Sequence, residues 1–366
     1  MLHVGIIGGG IAGLTCALAM AQRGLHVTVH ERAARLEEVG AGIQLSPNAT
    51  TLLFDLGLSS ALNAVASAPR AIDVYDGTSA NLISTIPLGA TAEQRYGAPY
   101  YVIHRADLQS ILANACAREA RITLNLASEI GTVRQDGSHV FIGQTQCDLV
   151  VAADGVHSKT RRTLFQTEHD PSGLTAWRAT IAMDERPAFF ASAKTTLCVA
   201  PDSHLVTYPI AAGRELNAVA IVPDGLMPEE GFAHWSKKIT PLLSKAQWLP
   251  WPLKSVPKLK TWINGKVVLI GDAAHAMLPF AAQGGAGAIE DAVTLAASVS
   301  SQGNLKDALK NWEKSRKGRA EAIAATAQRN RTIYHLSGMA AGARNLIMKQ
   351  LGPERLLARQ DWIYKG

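Results

Sequence analysis

Gly8, Gly10 and Gly13 stand between an apolar run, His3-Val4-Gly5-Ile6-Ile7, and a helix-like segment that runs from Leu14 to Arg23 and stops at Gly24. No other feature restricts the fold so tightly. In a strand–turn–helix unit the first glycine permits the tight turn, the second lets bare backbone approach a pyrophosphate, and the third lets the helix pack closely on the strand. The free N–H groups of the helix N-terminus and its partial positive charge complete an anion site. Leu25 to His30 alternates as a second strand, and Glu31 ends it, where a carboxylate can accept hydrogen bonds from a ribose. A glycine turn without a ligand is the other reading of these residues, and the motif alone does not separate FAD from NAD.

The rest of the chain supplies a context of alternating elements. Ser46 reads as a helix cap, with Pro47 at the first position and Gly57 just past the end. Ala71 to Pro87 reads as two strands around Asp76-Gly77, Tyr100 to His104 as a strand and Arg105 to Glu119 as a helix. Ile122 to Gly143 reads as a small antiparallel ribbon turned at Asp136-Gly137. Asp148 to Ala153 and Lys266 to Ile270 are apolar strands of the buried, parallel type. Between about Ser172 and Ile263 the chain is strand-like, with Pro and Trp between strands, and after Gln283 it is helical nearly to the end. A length of 366 residues suits about two domains. We expect an α/β fold: a Rossmann-like dinucleotide domain from residues 1–70, 100–171 and 264–366, interleaved with a mostly antiparallel β-sheet substrate domain from 71–99 and 172–263, and a helical C-terminus.

Composition and charge exclude several classes. Hydrophobic residues at 47% and charged residues at 18% rule out a disordered or collagen-like chain. The net charge of +6 is uneven, with thirteen Lys/Arg against five Asp/Glu from Asn304 onward. These basic residues are spread rather than packed in one run, so we expect the solvated face of helices, and no nucleic-acid module accompanies them. Val4 to Ala21 is uncharged and resembles a signal peptide, but no Lys or Arg precedes it and it holds five glycines. With no other bilayer-length apolar stretch, the expectation is a cytoplasmic protein without a stable membrane anchor, a monomer or a homodimer. The four cysteines, Cys16, Cys116, Cys147 and Cys198, lie far apart and read as buried small hydrophobes in a reducing compartment. There is no zinc-type His cluster and no Gly-x-Ser-x-Gly nucleophile elbow, so no metal is expected.

Two later motifs narrow the reading. Asp154-Gly155-Val156-His157-Ser158-Lys159-Thr160-Arg161 closes one apolar strand and opens a helix, and Gly271-Asp272-Ala273-Ala274-His275 closes another, followed by Pro279 and Gln283-Gly284-Gly285. Taken in order with the glycine loop, they resemble the FAD-dependent aromatic hydroxylases, the single-component flavoprotein monooxygenases of para-hydroxybenzoate hydroxylase-like fold, and the resemblance covers nearly the whole chain. Arg105-Ala-Asp-Leu108 is similar to the family's flavin-contacting Arg-x-x-Leu element. Gly40-Ala-Gly-Ile-Gln-Leu-Ser-Pro-Asn48 and Asp361-Trp362-Ile363-Tyr364 resemble the branch of salicylate, 3-hydroxybenzoate and 6-hydroxynicotinate hydroxylases. Gly40 stands where the para-hydroxybenzoate branch has an arginine, which argues against that substrate.

The resemblance implies the cofactors and most of the roles. FAD would be bound by Gly8, Gly10, Ala12, Gly13, Glu31, Arg32, Arg105, Asp154, Gly155, Gly271, Asp272, Gly284, Gly285 and Ala286. Glu31 would hold the adenosine ribose, while Arg105 and Asp272 would meet the ribityl and phosphate region. Asp154 and Gly155 would also serve a transient NADH or NADPH, for which the chain carries no second GxGxxG. Asp272 also reads as a helix N-cap. The helix after Gln283 would set its positive end against the pyrimidine edge of the flavin and stabilise the reduced anion. Oxygen would form a flavin hydroperoxide, whose distal oxygen passes to an activated aromatic ring. Epoxidation or oxidation of a non-phenolic heterocycle is the alternative outcome.

The substrate site is less legible. His204 and Tyr208 are four apart in one strand and so share a face. Both can hydrogen-bond a phenol oxygen, and His204 can act as a base. Pro279 sits where the family's active-site proline covers the flavin. Gln44 and Trp177 complete the substrate candidates. Arg178 can pair with an aromatic carboxylate or form a surface salt bridge, and His275 reads as structural rather than as a proton carrier.

Overall fold

The structure is a computed structural model that describes residues 2–36, 42–137, 139–191, 193–301 and 303–366. Gly40 and Ala41, which open the Gly40–Asn48 element, lie outside the described residues. The start of the chain folds as strand His3–Ile7, a glycine turn, helix Ile11–Ala21 and strand His26–His30. The uncharged segment from Val4 to Ala21 is therefore spent on one strand and one buried helix.

Six strands form the sheet that carries the glycine turn. Their order is Ile263–Asn264, Val267–Leu269, Leu149–Ala152, His3–Ile7, His26–His30 and Ile122–Asn125, and all pairs are parallel except the first. Alternate side chains of the first strand serve two layers. Val4 and Ile6 pack under helices Ile11–Ala21, Arg105–Ala117 and Gly284–Ser301. Ile7 packs with Val140, Ile142 and Cys147 of a three-stranded antiparallel sheet on the other face. Gly5 points the same way, where a Cβ would lie 2.5 Å from Ile142 Cδ1, so only a bare backbone fits there.

The region expected as one antiparallel ribbon divides. Val133–Asp136 and His139–Ile142 pair antiparallel, joined by Thr145–Cys147, but Ile122–Asn125 leaves them to become the parallel edge of the large core. A four-residue strand carries no pattern that separates the two pairings, and the apolar contacts of Ile122 and Leu124 decide it.

A seven-stranded, mostly antiparallel sheet stands beside this unit, in the order Leu249–Ser255, Asp170–Ala182, Glu215–Pro223, Ser203–Ile210, Thr195–Ala200, Ala71–Asp76 and Leu82–Pro87. One face buries Leu205, Leu216, Ala218 and Val222 under Phe232, Trp235 and Leu242. The other presents His204, Val206 and Tyr208 toward the turn at Pro279 and the C-terminal helices. The ribbon Gly42–Leu45 with Tyr101–His104 lies against this second face, where Gly42 closely approaches Tyr208. Helix Leu305–Tyr334 and helix Gly338–Ala358, broken at Gly352-Pro353, close the fold.

The basic C-terminal segment is not only a solvated face. Arg316 and Arg344 are buried, and each spends its charge on carboxylates or backbone carbonyls. Ser46 likewise departs from its expected role. It occupies the cap position before Pro47, but its hydroxyl donates to Asn48 Oδ1 at 2.6 Å instead of capping the helix.

Candidate active site

The glycine loop packs too tightly to admit side chains at two of its positions. A Cβ on Gly13 would lie 1.9 Å from the Gly8 carbonyl oxygen, and one on Gly8, whose φ is +106°, would lie 2.4 Å from the Ala153 oxygen. Glu31 locks this loop from the side. One carboxylate oxygen accepts the Gly9 N–H at 2.6 Å and the other the Ala33 N–H at 2.8 Å. From the helix that follows Arg105, Gln109 donates to the Gly9 carbonyl at 2.9 Å, while its Oε1 is buried with no hydrogen-bond partner among the described residues. Gln109 was not singled out by sequence reasoning; only its place one residue after Arg-x-x-Leu hinted at it.

The two aspartate motifs end neighbouring parallel strands and meet above them. Asp154 accepts from the Thr160 backbone and hydroxyl, both at 3.3 Å, through Oδ2, and its Oδ1 is buried without a partner among the described residues. Gly155 turns the chain with φ +74°. Arg161, buried, ties the motifs together by donating to the carbonyls of Val156 at 2.6 Å and Ala273 at 3.2 Å. Gly271 takes φ +58°, where its missing Cβ leaves room for Ala12 and Ala288. Gly271 is the cap position, so Asp272 is the first helical residue rather than an N-cap, and its side chain is exposed above the strand end. Arg105 is half-buried at the start of its helix, and Arg32 is exposed beyond Glu31.

Beneath this surface lies a buried ionic network that the sequence did not reveal. Asp291 accepts from the Gly271 N–H at 3.0 Å, from Arg316 Nε at 2.9 Å and from His275 Nε2 at 2.5 Å. Burial opposes its ionisation, but His275 and Arg316 outweigh that and hold it down at about 2. Burial lowers His275, yet Asp291 lifts it above its ordinary value. Glu290 pairs with Arg316 and, through both oxygens, with Arg319, which also donates to the carbonyls of Trp362 and Ile363. Asn48 donates to Glu290 at 2.5 Å and to Gln283 at 3.2 Å, and Gln283 donates to Ser46. The network therefore fixes the Gly271 turn and the start of helix Gly284–Ser301 to one buried anchor. At that helix start a Cβ on Gly285 would lie 2.5 Å from Ile43 Cδ1, so the Ile43 side chain would have to shift, whereas Gly284 opens on free space and Ala286 is buried behind it.

Comparison with known proteins places this arrangement. A family model described as an FAD binding domain matches residues 1–224 and 236–327. The chain belongs to this family. It is 33% identical to 3-amino-4-hydroxybenzoate 2-monooxygenase of Streptomyces cremeus, over 92% of this chain and 88% of the relative. It is 31% identical to 3-hydroxybenzoate 6-hydroxylase 1 of Aquipseudomonas alcaligenes, over 98% of this chain and 96% of the relative. Two solved structures share the fold: HpxO of Klebsiella pneumoniae complexed with FAD and uric acid (TM-score 0.89, 24% identity, 100% of this chain and 97% of that one), and a salicylate hydroxylase substrate complex (TM-score 0.83, 24% identity, 100% and 95%). The chain is an FAD-dependent monooxygenase. Its residues fit FAD on this structure's own terms: the glycine turn packs the helix start so closely on the strand that no side chain fits between them, and the buried oxygens Asp154 Oδ1 and Gln109 Oε1 lack a hydrogen-bonding partner among the described residues.

In the seven-stranded sheet, the strand Ser203–Ile210 of this monooxygenase runs without a bulge, so His204 and Tyr208 share one face. His204 is buried against the ring of Phe280, at 4.8 Å, and that of Tyr334, at 5.6 Å, and Pro279 opens the exposed turn that delivers Phe280. Burial and the neighbouring His335 push the His204 imidazole well below its ordinary range. Burial pushes the Tyr208 phenol up, with Arg178 acting the other way. Arg178 lies two residues along its strand from Ala176, which packs with Leu278 and Phe280, so Arg178 is on this face and its guanidinium sits 5.0 Å from the Trp251 ring centre. Gln44 accepts from the Tyr100 hydroxyl at 2.7 Å, and Tyr100 packs in the same cluster as Tyr208. Trp177 is not brought to this face. Its alternation sends it to the opposite side, where it packs with the Ile181 and Phe190 cluster and donates to the Leu226 carbonyl.

Proposed function

We propose that this monooxygenase hydroxylates a small aromatic ring that already carries a hydroxyl and a carboxylate, with NADH or NADPH as reductant and O2 as co-substrate. One observation carries the reading: His204 Nε2 and the Tyr208 hydroxyl lie on the same sheet face, neither makes a hydrogen bond among the described residues, and the apolar Val206 lies between them. His204 accepts the proton of the ring hydroxyl at Nε2, Tyr208, about 13 Å further along the strand, donates at the opposite end of the ring, and Arg178 on the same face pairs with the carboxylate. Deprotonation raises electron density at the attacked carbon. Phe280, Tyr334 and the Pro279 turn exclude water from the ring.

FAD, when bound, supplies the redox chemistry that activates oxygen. Gly8, Gly10, Ala12 and Gly13 take its pyrophosphate, and Glu31 with Arg32 its adenosine end. Arg105, Asp154, Gly155, Gly271 and Asp272 take the ribityl and phosphate region. The open helix start at Gly284, Gly285 and Ala286 offers N–H groups to the flavin edge. The four buried, free cysteines suit a reducing, cytoplasmic setting. Among the described residues no helix is long and apolar enough to cross a membrane.

Anaerobic flavin reduction by NADH and by NADPH, with hydroxybenzoates, amino-hydroxybenzoates, hydroxypyridines and uric acid in turn, tests the proposal. Acceleration by a hydroxylated benzoate is the expected result. Acceleration by uric acid alone would move the activity to heterocycle oxidation.

A further inference from the structure

We propose that His335 is the proton exit of the substrate site: the proton that His204 takes from a ring hydroxyl leaves through His335 to solvent. The source of the proton rests on the hydroxylase reading above; the pairing of the two rings does not. His204 Nδ1 and His335 Nε2 are 2.9 Å apart, although the residues are 131 positions apart in sequence. His204 is 2% exposed, whereas His335 is only part-buried, at the end of helix Leu305–Tyr334. The pair thus spans the wall of the site. Arg344 holds the last turn of that helix by donating to the carbonyls of Ile333 at 3.1 Å and Tyr334 at 3.0 Å, which keeps His335 in reach.

A neutral imidazole donates at one nitrogen and accepts at the other. With His204 Nδ1–H donating to His335 Nε2, the lone pair of His204 Nε2 is left for the substrate hydroxyl, and His335 carries its proton on Nδ1. A proton arriving at His204 Nε2 breaks the substrate O–H bond. The Nδ1 proton then passes to His335 Nε2, and the His335 Nδ1 proton passes to water. Both rings end neutral with their tautomers exchanged, and reprotonation of the product oxygen by the reverse path resets them.

The surroundings suit transfer rather than storage. His204 is enclosed by Phe280, Tyr334 and His335 and is held far below the ordinary imidazole range by burial and by His335. Burial brings His335 down to about 4. Asp202 from the adjoining strand turn acts against this, and Arg331 and Arg344 act with it. A base that cannot keep a cation needs a second group to take the proton onward.

Two measurements test the proposal. Nitrogen-15 spectra of histidine-labelled, FAD-bound enzyme without substrate should show His204 protonated at Nδ1 and bare at Nε2; the opposite tautomer would overturn the direction of the relay. His335→Phe, assayed with 3-hydroxybenzoate and with any other ring of the panel that the parent enzyme turns over, should lower kcat by about tenfold or more with little change in KM. Added imidazole should restore part of the loss, and the solvent-isotope response should fall from that of a multi-proton transfer to that of a single one. An unchanged kcat, or a loss that imidazole does not restore and that leaves the isotope response intact, would give His335 a packing role only. If the parent enzyme turns over no aromatic ring, the proposed function fails, and the spectra alone then decide whether the pair is poised as described.

Discussion

Gly42 and Asn217 are joined by a hydrogen bond of 2.7 Å, from the Gly42 N–H to Asn217 Oδ1, across 175 residues of sequence. This bond fastens the short ribbon beside the start of helix Gly284–Ser301 to the site face of the seven-stranded sheet, one strand over from Tyr208. Asn217 is fully buried, and its Nδ2 has no hydrogen-bond partner among the described residues. Asn217→Ala leaves the Gly42 N–H unpaired in the interior and is expected to cost about 1–3 kcal/mol, measured by denaturant unfolding of the FAD-bound protein.

Gly42→Ala probes the same junction from the other side. Its Cβ would lie 2.4 Å from Cε2 of Tyr208, so the ring must move. Substrate affinity should weaken by about tenfold, the equivalent of roughly 1.4 kcal/mol, while the flavin content stays near that of the parent. Titration of the flavin spectrum with substrate reads both quantities. Loss of flavin together with substrate affinity would place the damage in the glycine loop instead.

Gly13→Ala addresses the glycine loop directly. With a Cβ 1.9 Å from the Gly8 oxygen, the helix can no longer pack on the strand. The purified variant should retain little or no FAD, with affinity lowered at least about a hundredfold, as read by visible absorbance and by reconstitution with added FAD.

Arg316→Met strips the buried anchor of its shared cation and leaves Asp291 and Glu290 under-compensated in the interior. A loss of about 3–5 kcal/mol is expected, checked by thermal unfolding. In the parent, Asp291 sits at about 2 against an ordinary 3.8, so its contribution is present above the ordinary value and is lost as pH falls toward 2. Removing Arg316 should move that acid transition to higher pH.

The histidine pair sets a second pH window. His335 is held at about 4 when folded and returns to about 6.5 when unfolded, so the unfolded chain binds more protons between those values. Stability should be retained above about 6.5 and lost progressively as pH falls to about 4, by about 1–2 kcal/mol once solvent screening of the part-exposed ring is allowed for. Unfolding curves at pH 7 and pH 5 measure it together with the same-signed contribution of buried His204, and His335→Phe should reduce the difference by the His335 share.

The local chemistry of this chain was written in short stretches of sequence. The glycine loop, Glu31 at the end of the next strand, and the two aspartate motifs are each set by neighbours within a few residues, because a strand–turn–helix joint has few backbone solutions and glycine marks them. The shared face of His204 and Tyr208 follows from the two-residue period of a strand, and that period is local too.

Only the tertiary structure decided what those faces meet. Trp177 and Arg178 are adjacent, and nothing local says which of them turns toward Phe280 and which toward Phe190; the packing of the large sheet between two layers does. Ile122–Asn125 could pair either way until the edge of the parallel sheet was free to receive it. The Asp291, Arg316 and Glu290 anchor, the Gly42–Asn217 bond and the His204–His335 contact join residues from 25 to 175 positions apart. A sequence read by period and motif carries no term for such distances, because these contacts form only once the whole core has excluded water and left each buried polar group to find its partner.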